Sequence, residues 1–312
     1  MHVTLIVNPV ASSVTRRALV VIKKAISADH DLTVEETTRK GQAIRLAHGA
    51  ARGGADVVVA LGGDGTINEV VNGVLDDDCM VAPLPGGSTN VFARAVGYPN
   101  DAVEATAVLL EALAARSERP ASVGLANGRA FLFHVGVGFD AEVVDRVEQR
   151  GHLKRYMGHP YFMAMTVATW LRPLSGRRPS FSVRTADGRR IDKALLTIAL
   201  NTTPYTYLGA TPLHLAPEAS LSSPLSMAVL TSLSPRMVPI LIAATRRATG
   251  LADRRGAHHW ADVTEATVTG GEAFHYQLDG EALDPVTELR LEHRPEAIRL
   301  VVPVGEPAAP AA

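Results

Sequence analysis

Apolar and polar positions follow two distinct rhythms along the first 120 residues. Residues 3–7 form a near-continuous apolar run, the pattern of a parallel strand buried on both faces. Val14, Ala18, Val21, Ile22, Ala25 and Ile26 then recur at helical spacing. The alternation continues with a strand over 32–37, a helix over 42–52, a strand over 56–61, a helix over 67–75 and a strand over 80–84. Helices over 90–96 and 102–115 close the unit. Such alternation implies right-handed crossovers and a parallel sheet, a Rossmann-like α/β domain.

The rhythm changes at the polar, Pro-bearing segment 117–122, read as a boundary. Short β-like runs follow at 122–125, 130–135, 180–185, 194–200, 226–230, 263–269, 273–278 and 287–292, with Asp187-Gly188 and Asp279-Gly280 as turn signals. Helices are expected over 141–149, 153–171 and 235–249, and a last strand over 298–302. This half predicts a mostly antiparallel, β-sandwich-like domain. The expected division is 1–120 for the α/β domain, 121–295 for the β domain and 306–312 for a flexible tail.

A length of 312 residues fits two domains, and 46% apolar with 20% charged residues fits globular cores. A net charge of −1 argues against a polycationic nucleic-acid binder. The single cysteine, Cys79, excludes an internal disulfide and a thiol metal cage, and points to a reducing, cytoplasmic compartment. Residues 1–13 lack a basic signal-peptide region, and the apolar stretch 161–171 is too short to span a bilayer, so no transmembrane segment is expected.

The strongest chemical signal is Leu61-Gly62-Gly63-Asp64-Gly65-Thr66-Ile67-Asn68-Glu69, between a buried strand and a helix. Open α/β sheets bind ligands at the carboxyl ends of their strands, and glycines beside a helix N-terminus let backbone N–H groups approach an anion. Asp64 would repel a bare phosphate, which suggests a Mg²⁺ bridge. The competing account is a tight turn whose glycines serve packing alone. The next loop, Pro85-Gly86-Gly87-Ser88-Thr89-Asn90, should lie beside the first, with Ser88 or Thr89 alternatively capping the helix that follows. Asn8-Pro9-Val10-Ala11-Ser12 and Thr37 fall on the same rim. There is no Walker A box. Alone, Asp279-Gly280 reads as a hairpin turn. His134, in a predicted strand, reads as a satisfied core residue, and His258-His259 as surface or packing histidines. His275 is close to Glu281 in sequence only.

Five separated motifs, VNP, GGDGTINEV, PGGSTNVFAR, GVGFDA and QLDGE, resemble in order and spacing those of the diacylglycerol-kinase-like lipid kinases, within the wider superfamily of NAD kinases and phosphofructokinases. The resemblance implies an ATP- and Mg²⁺-dependent kinase that phosphorylates a lipid hydroxyl at a membrane surface, with its active site between two domains. It implies that residues 296–305 return to the first domain. It assigns Asn8, Pro9, Val10, Ala11, Ser12, Thr37, Gly62, Gly63, Asp64, Gly65, Thr66, Ile67, Asn68, Gly87, Ser88 and Asn90 to the nucleotide, and Asp64 to the catalytic Mg²⁺, through water. Glu281 becomes the general base, with Asp64 and Asp279 beside it as catalytic residues and Asp140 in the same polar network. A peripherally membrane-associated protein follows, with a homodimer left open. Ser223 stands where some relatives carry a metal-binding Asp, which puts a structural metal there in doubt. Basic residues at 154, 155, 172, 177 and 178 flank the apolar stretch 156–171, either as an interfacial element or as the solvated ends of a packed helix. A kinase of a soluble hydroxyl compound such as NAD, or a binding protein without turnover, are the alternatives.

Overall fold

The computed structural model describes residues 1–138, 181–232 and 256–305, and the chain forms two units. The first comprises Met1–Val123 and Pro295–Ala312, the second Gly124–Arg294. The GVGFDA motif beyond Gly138, the helices expected over 141–149, 153–171 and 235–249, the basic residues at 154–178 and the tail lie outside the described residues.

In the first unit, β1 (His2–Val7), β2 (Asp31–Glu36), β3 (Val57–Gly62) and β4 (Met80–Pro85) are joined by α1 (Arg16–Ile26), α2 (Gln42–Arg52) and α3 (Asp64–Val74). They pair in parallel in the order β2-β1-β3-β4. All six residues of β3 are buried, as its unbroken apolar run requires. Thr15 caps α1 by accepting from the Ala18 amide, and Asp101 caps α5 (Ala102–Ala115) through Val103 and Glu104. A short α4 (Val91–Ala95) precedes α5. Strand and helix types match the sequence pattern throughout. The start of α3 does not: it begins at Asp64 rather than 67, because extended Gly63 is its cap, so Asp64 and Gly65 lie in its first turn.

The second unit is antiparallel. β7 (His134–Gly138), β10 (Leu196–Leu200), β13 (Leu225–Leu230) and β14 (Ala257–Val263) pair in sequence, with β15 (Glu265–Leu278) on the other side of β7 and the first part of β16 (Glu281–Val301) beyond it. The hairpin of β8 (Phe181–Thr185) and β9 (Arg190–Ala194) extends from β15. Its core gathers Phe131, Phe181, Met227, Phe274 and Leu289, all at or below 1% exposure. A small hairpin of β11 (Thr206–Leu208) and β12 (Thr211–Leu213) is separate.

Three features depart from the sequence reading. The strand expected over 122–125 starts earlier, within the polar segment, since Glu118–Ala126 is one strand, β5, pairing with β16 and β6 (Arg129–Phe131). The run at 130–135 breaks into β6 and β7, because the backbone at 132–134 bonds to a side chain instead of a strand. The runs at 287–292 and 298–302 belong to a single 21-residue strand, whose last residues pair in parallel with β4 in the first unit. Polar β9 and β14 escaped the pattern because their burial alternates weakly. Among the described residues, no helix is long and apolar enough to cross a membrane.

Candidate active site

The sheet of the first unit brings its loops together at one edge. Gly86 and Gly87, after β4, lie directly against Gly62 and Gly63, after β3. A Cβ on Gly86 would stand 2.8 Å from the Gly62 Cα, and one on Gly87 would stand 2.8 Å from the Gly63 Cα. The Gly86 amide donates to the Gly62 carbonyl at 2.7 Å, and Ser13 reaches both Gly86 and Gly87 from the first loop. Asn8 ties that loop to α3, its Nδ2 donating to Thr66 Oγ1 at 3.1 Å and its Oδ1 accepting from the Val10 amide. Thr37 is anchored on the Val7 carbonyl. Asn8, Thr37, Gly62, Gly63, Thr66 and Gly87 thus meet on one rim.

The five glycines of these loops are not equivalent. Gly62 is glycine because a Cβ would collide with Thr66 at 2.6 Å. Gly65 meets no such demand: it is exposed, its φ is not left-handed, and a Cβ there would touch nothing within 4 Å. Packing therefore accounts for Gly62 and Gly86 but not for Gly65. The Thr66 and Ile67 amides already bond to the Gly63 carbonyl, so within the first turn of α3 it is the exposed Gly65 backbone that an anion could approach.

Asp64 has a defined structural task. Its two carboxylate oxygens accept from the amides of Val91 (3.0 Å) and Phe92 (2.9 Å), capping α4 from the neighbouring loop. Neither Ser88 nor Thr89 is the cap. Asn90 occupies that position with φ of 51° and closes its own turn on Gly87. Burial raises the Asp64 pKa; the two amides and the Arg94 guanidinium oppose this only in part. Ile67 and Asn68 are buried, so of the expected contacts Pro9, Val10, Ser12, Gly65 and Ser88 present the more open surface, with Ala11 between them. Glu69 was not assigned a role by the sequence; its carboxylate caps α2 through Gly41 and Ala43, a helix whose own cap is a glycine.

In the second unit, Asp279 and Gly280 form the expected two-residue turn, with φ of 49° and 79°, between paired Leu278 and Glu281. Asp279 acts on structure. Its carboxylate accepts from Leu132 (2.7 Å), Phe133 (3.0 Å) and His134 (3.1 Å), which is what interrupts the strand there. Glu281 pairs with Arg129 at 3.0 Å, a partner no motif announced. Asp140 lies outside the described residues.

Ser223 sits in a serine turn, its hydroxyl bonded to Ser220. Nearby Glu218 accepts from Ser226 and pairs with His259 at 2.7 Å, so His259 has an acidic partner that sequence distance concealed. Burial works to raise the Glu218 pKa, but the His259 and Ser226 bonds outweigh it and bring it to about 2, from an ordinary 4.5. A depressed carboxylate stabilises the fold above its unfolded pKa and ceases to do so as pH falls through the folded value. Melts of wild type and Glu218→Gln are expected to differ near pH 6 and converge near pH 2. The difference stays under about 1 kcal/mol because the pair is partly solvated.

Residues 2–126 match the diacylglycerol kinase catalytic domain. That span holds the glycine loops and excludes Glu281. Diacylglycerol kinase of Bacillus subtilis (strain 168) is 36% identical over 158 residues, 49% of this chain and 50% of that one. A "Probable lipid kinase YegS-like" of Pseudomonas aeruginosa (strain UCBPP-PA14) is 27% identical over 305 residues, covering 90% of this chain and 87% of the relative. The match thus spans about half the length of the Bacillus subtilis relative and most of the Pseudomonas one. Among solved structures, a diacylglycerol kinase from Bacillus anthracis str. Sterne has a TM-score of 0.74 at 23% identity, over 97% of each chain. An NAD kinase from Archaeoglobus fulgidus in complex with ATP has a TM-score of 0.54 at 13% identity, over 97% of this chain and 94% of that one. These two share the fold. The resemblance to diacylglycerol-kinase-like lipid kinases, and the α/β plus antiparallel β fold it implied, are thereby shown.

Proposed function

We propose that this protein is an ATP- and Mg²⁺-dependent lipid kinase that transfers the γ-phosphoryl group to a hydroxyl of diacylglycerol or a related lipid, as a peripherally membrane-associated enzyme of the cytoplasm. The observation that carries the reading is Gly65, a glycine that the protein's own packing does not require, at an open helix N-terminus between two interlocked glycine loops. A phosphate approaching the backbone needs that space. The match of residues 2–126 and the ATP bound by the structurally similar NAD kinase support a nucleotide as ligand.

In this reading Gly62–Asn68, Gly87, Ser88 and the loop from Asn8 to Ser12 bind the phosphates, and Thr37 lies on the same rim. Asn8 and Asn90 act as positioning residues by holding two of these loops. Asp64 retains lone pairs beyond the two given to Val91 and Phe92, and its unfavourable burial would be relieved by a cation, so it fits Mg²⁺, directly or through water. When bound, Mg²⁺ neutralises phosphate charge. Glu281 accepts the proton of the lipid hydroxyl as its oxygen bonds to the γ-phosphorus. The bond from that phosphorus to the β–γ bridging oxygen breaks, and the electron pair leaves on ADP. Asp279 contributes by holding the turn.

The test supplies Mg-ATP labelled in the γ-phosphate to mixed vesicles of phospholipid and diacylglycerol, with NAD in parallel. Label is expected in lipid. Label in NAD alone would move the acceptor to a soluble hydroxyl compound, and ATP binding with no label in either would leave a binding protein.

A further inference from the structure

The polar groups around the Asp279 turn are closely paired. Asp279 takes three amides, Gln277 Oε1 accepts from the Gly280 amide at 2.8 Å, and Asn201 Nδ2 donates to the Leu132 carbonyl at 3.0 Å. Arg129 Nε also lacks a partner, but that guanidinium bonds to Glu281 through Nη2; His134 is the plainer exception. It is 5% exposed, and its ring lies 4.9 Å from the Phe133 ring and 4.4 Å from the Tyr205 ring, centroid to centroid. Its Nδ1 is buried with no hydrogen-bond partner among the described residues. It is therefore not the satisfied core histidine that its strand position suggested.

An unpaired buried nitrogen destabilises a fold, whereas phenylalanine would fill an aromatic niche of this kind without that cost. Burial pushes the His134 pKa down to about 3, so the ring stays neutral near pH 7, with one N–H donor and one acceptor nitrogen whichever tautomer is present. The residue is also fixed to the turn that carries Glu281. Its amide donates to Asp279 Oδ1, and its carbonyl accepts from the Asp279 amide at 2.9 Å, two residues before Glu281.

We infer that His134 is an acceptor-binding residue, its imidazole forming a hydrogen bond to a hydroxyl or ester oxygen of the lipid's glycerol head while Glu281 takes the proton of the reacting hydroxyl. The inference rests on the lipid-kinase reading above and adds the residue that recognises the acceptor. A retained polar atom that weakens the fold is the pattern of a functional site.

His134→Phe and His134→Gln are compared with wild type in steady-state kinetics, using Mg-ATP and diacylglycerol in mixed micelles, together with melting temperatures. His134→Phe is expected to melt at or above wild type and to raise KM for diacylglycerol about five- to tenfold, the loss of one neutral hydrogen bond. KM for ATP should not change, and His134→Gln, which keeps a donor and an acceptor, should recover part of the loss. A folded His134→Phe with a diacylglycerol KM within twofold of wild type would overturn the inference. Should that variant not fold, His134→Met is read by the same criterion. An active wild type with an indifferent His134→Phe defeats this inference alone, whereas a wild type that labels no lipid defeats the kinase reading and takes this one with it.

Discussion

Replacing Glu281 by Gln is expected to lower phosphoryl transfer into lipid by about 10²- to 10⁴-fold, the range a positioned general base supplies, with ATP affinity unchanged. The variant should fold. Glu281 pairs with Leu278 through the backbone, and the turn between them is shaped by the left-handed Asp279 and Gly280, so the hairpin does not depend on the carboxylate. The amide oxygen of Gln can still accept from Arg129, which now holds a Glu281 oxygen at 3.0 Å. What Gln cannot do is take a proton. Labelled lipid is measured against calorimetric ATP affinity. A variant that transfers within threefold of wild type would remove Glu281 from the mechanism, and one that also loses ATP would point to a structural role. Asp279 is not an equivalent target, since its oxygens hold three backbone amides and its loss would confound folding with chemistry.

Much of this was legible along the chain because the decisive patterns are local. The buried run of β3, the glycines after it and the helical spacing of α5 are each set within a dozen residues, and the structure follows them. The Asp279-Gly280 turn was equally plain, since two successive left-handed residues leave little choice of sequence. Side-chain partners far along the chain left no such trace. Asp64 caps a helix 27 residues on, Glu281 meets Arg129 across 152, and Glu218, in a turn, finds His259 on β14. Spacing rules reach one turn of helix or one hairpin, not such distances. The first residues of β5 were hidden for a related reason: the polar segment 117–122 carries no strand pattern, while pairing with a distant strand extends β5 back to Glu118. His134 misled in the opposite sense, because burial is visible in a strand pattern and an unpaired nitrogen is not.

The sharpest division between packing and ligand binding lies in two alanine substitutions. Gly86→Ala is expected to destabilise the first unit by about 1–3 kcal/mol, the usual cost of forcing atoms into a packed site. Its Cβ would lie 2.8 Å from the Gly62 Cα and 2.9 Å from the Gly62 nitrogen, backbone atoms that no rotamer change can move. The two loops would have to separate, breaking the 2.7 Å bond from the Gly86 amide to Gly62 and weakening ATP binding together with the fold. Gly65→Ala should separate these effects. With nothing within 4 Å of its Cβ and an ordinary helical backbone, alanine there is expected to leave the melting temperature equal or higher, since alanine is favoured over glycine in a helix by up to about 1 kcal/mol. ATP affinity should nevertheless fall about tenfold or more, equivalent to about 1.4 kcal/mol, because the methyl group stands where a phosphate must approach the amides of α3. Thermal melts and calorimetric titration with Mg-ATP on both variants read the two quantities independently. If Gly65→Ala binds ATP as wild type does, the loop's glycines serve packing alone and the phosphates must be held elsewhere; if it folds well and binds poorly, the open face of α3 is where they lie.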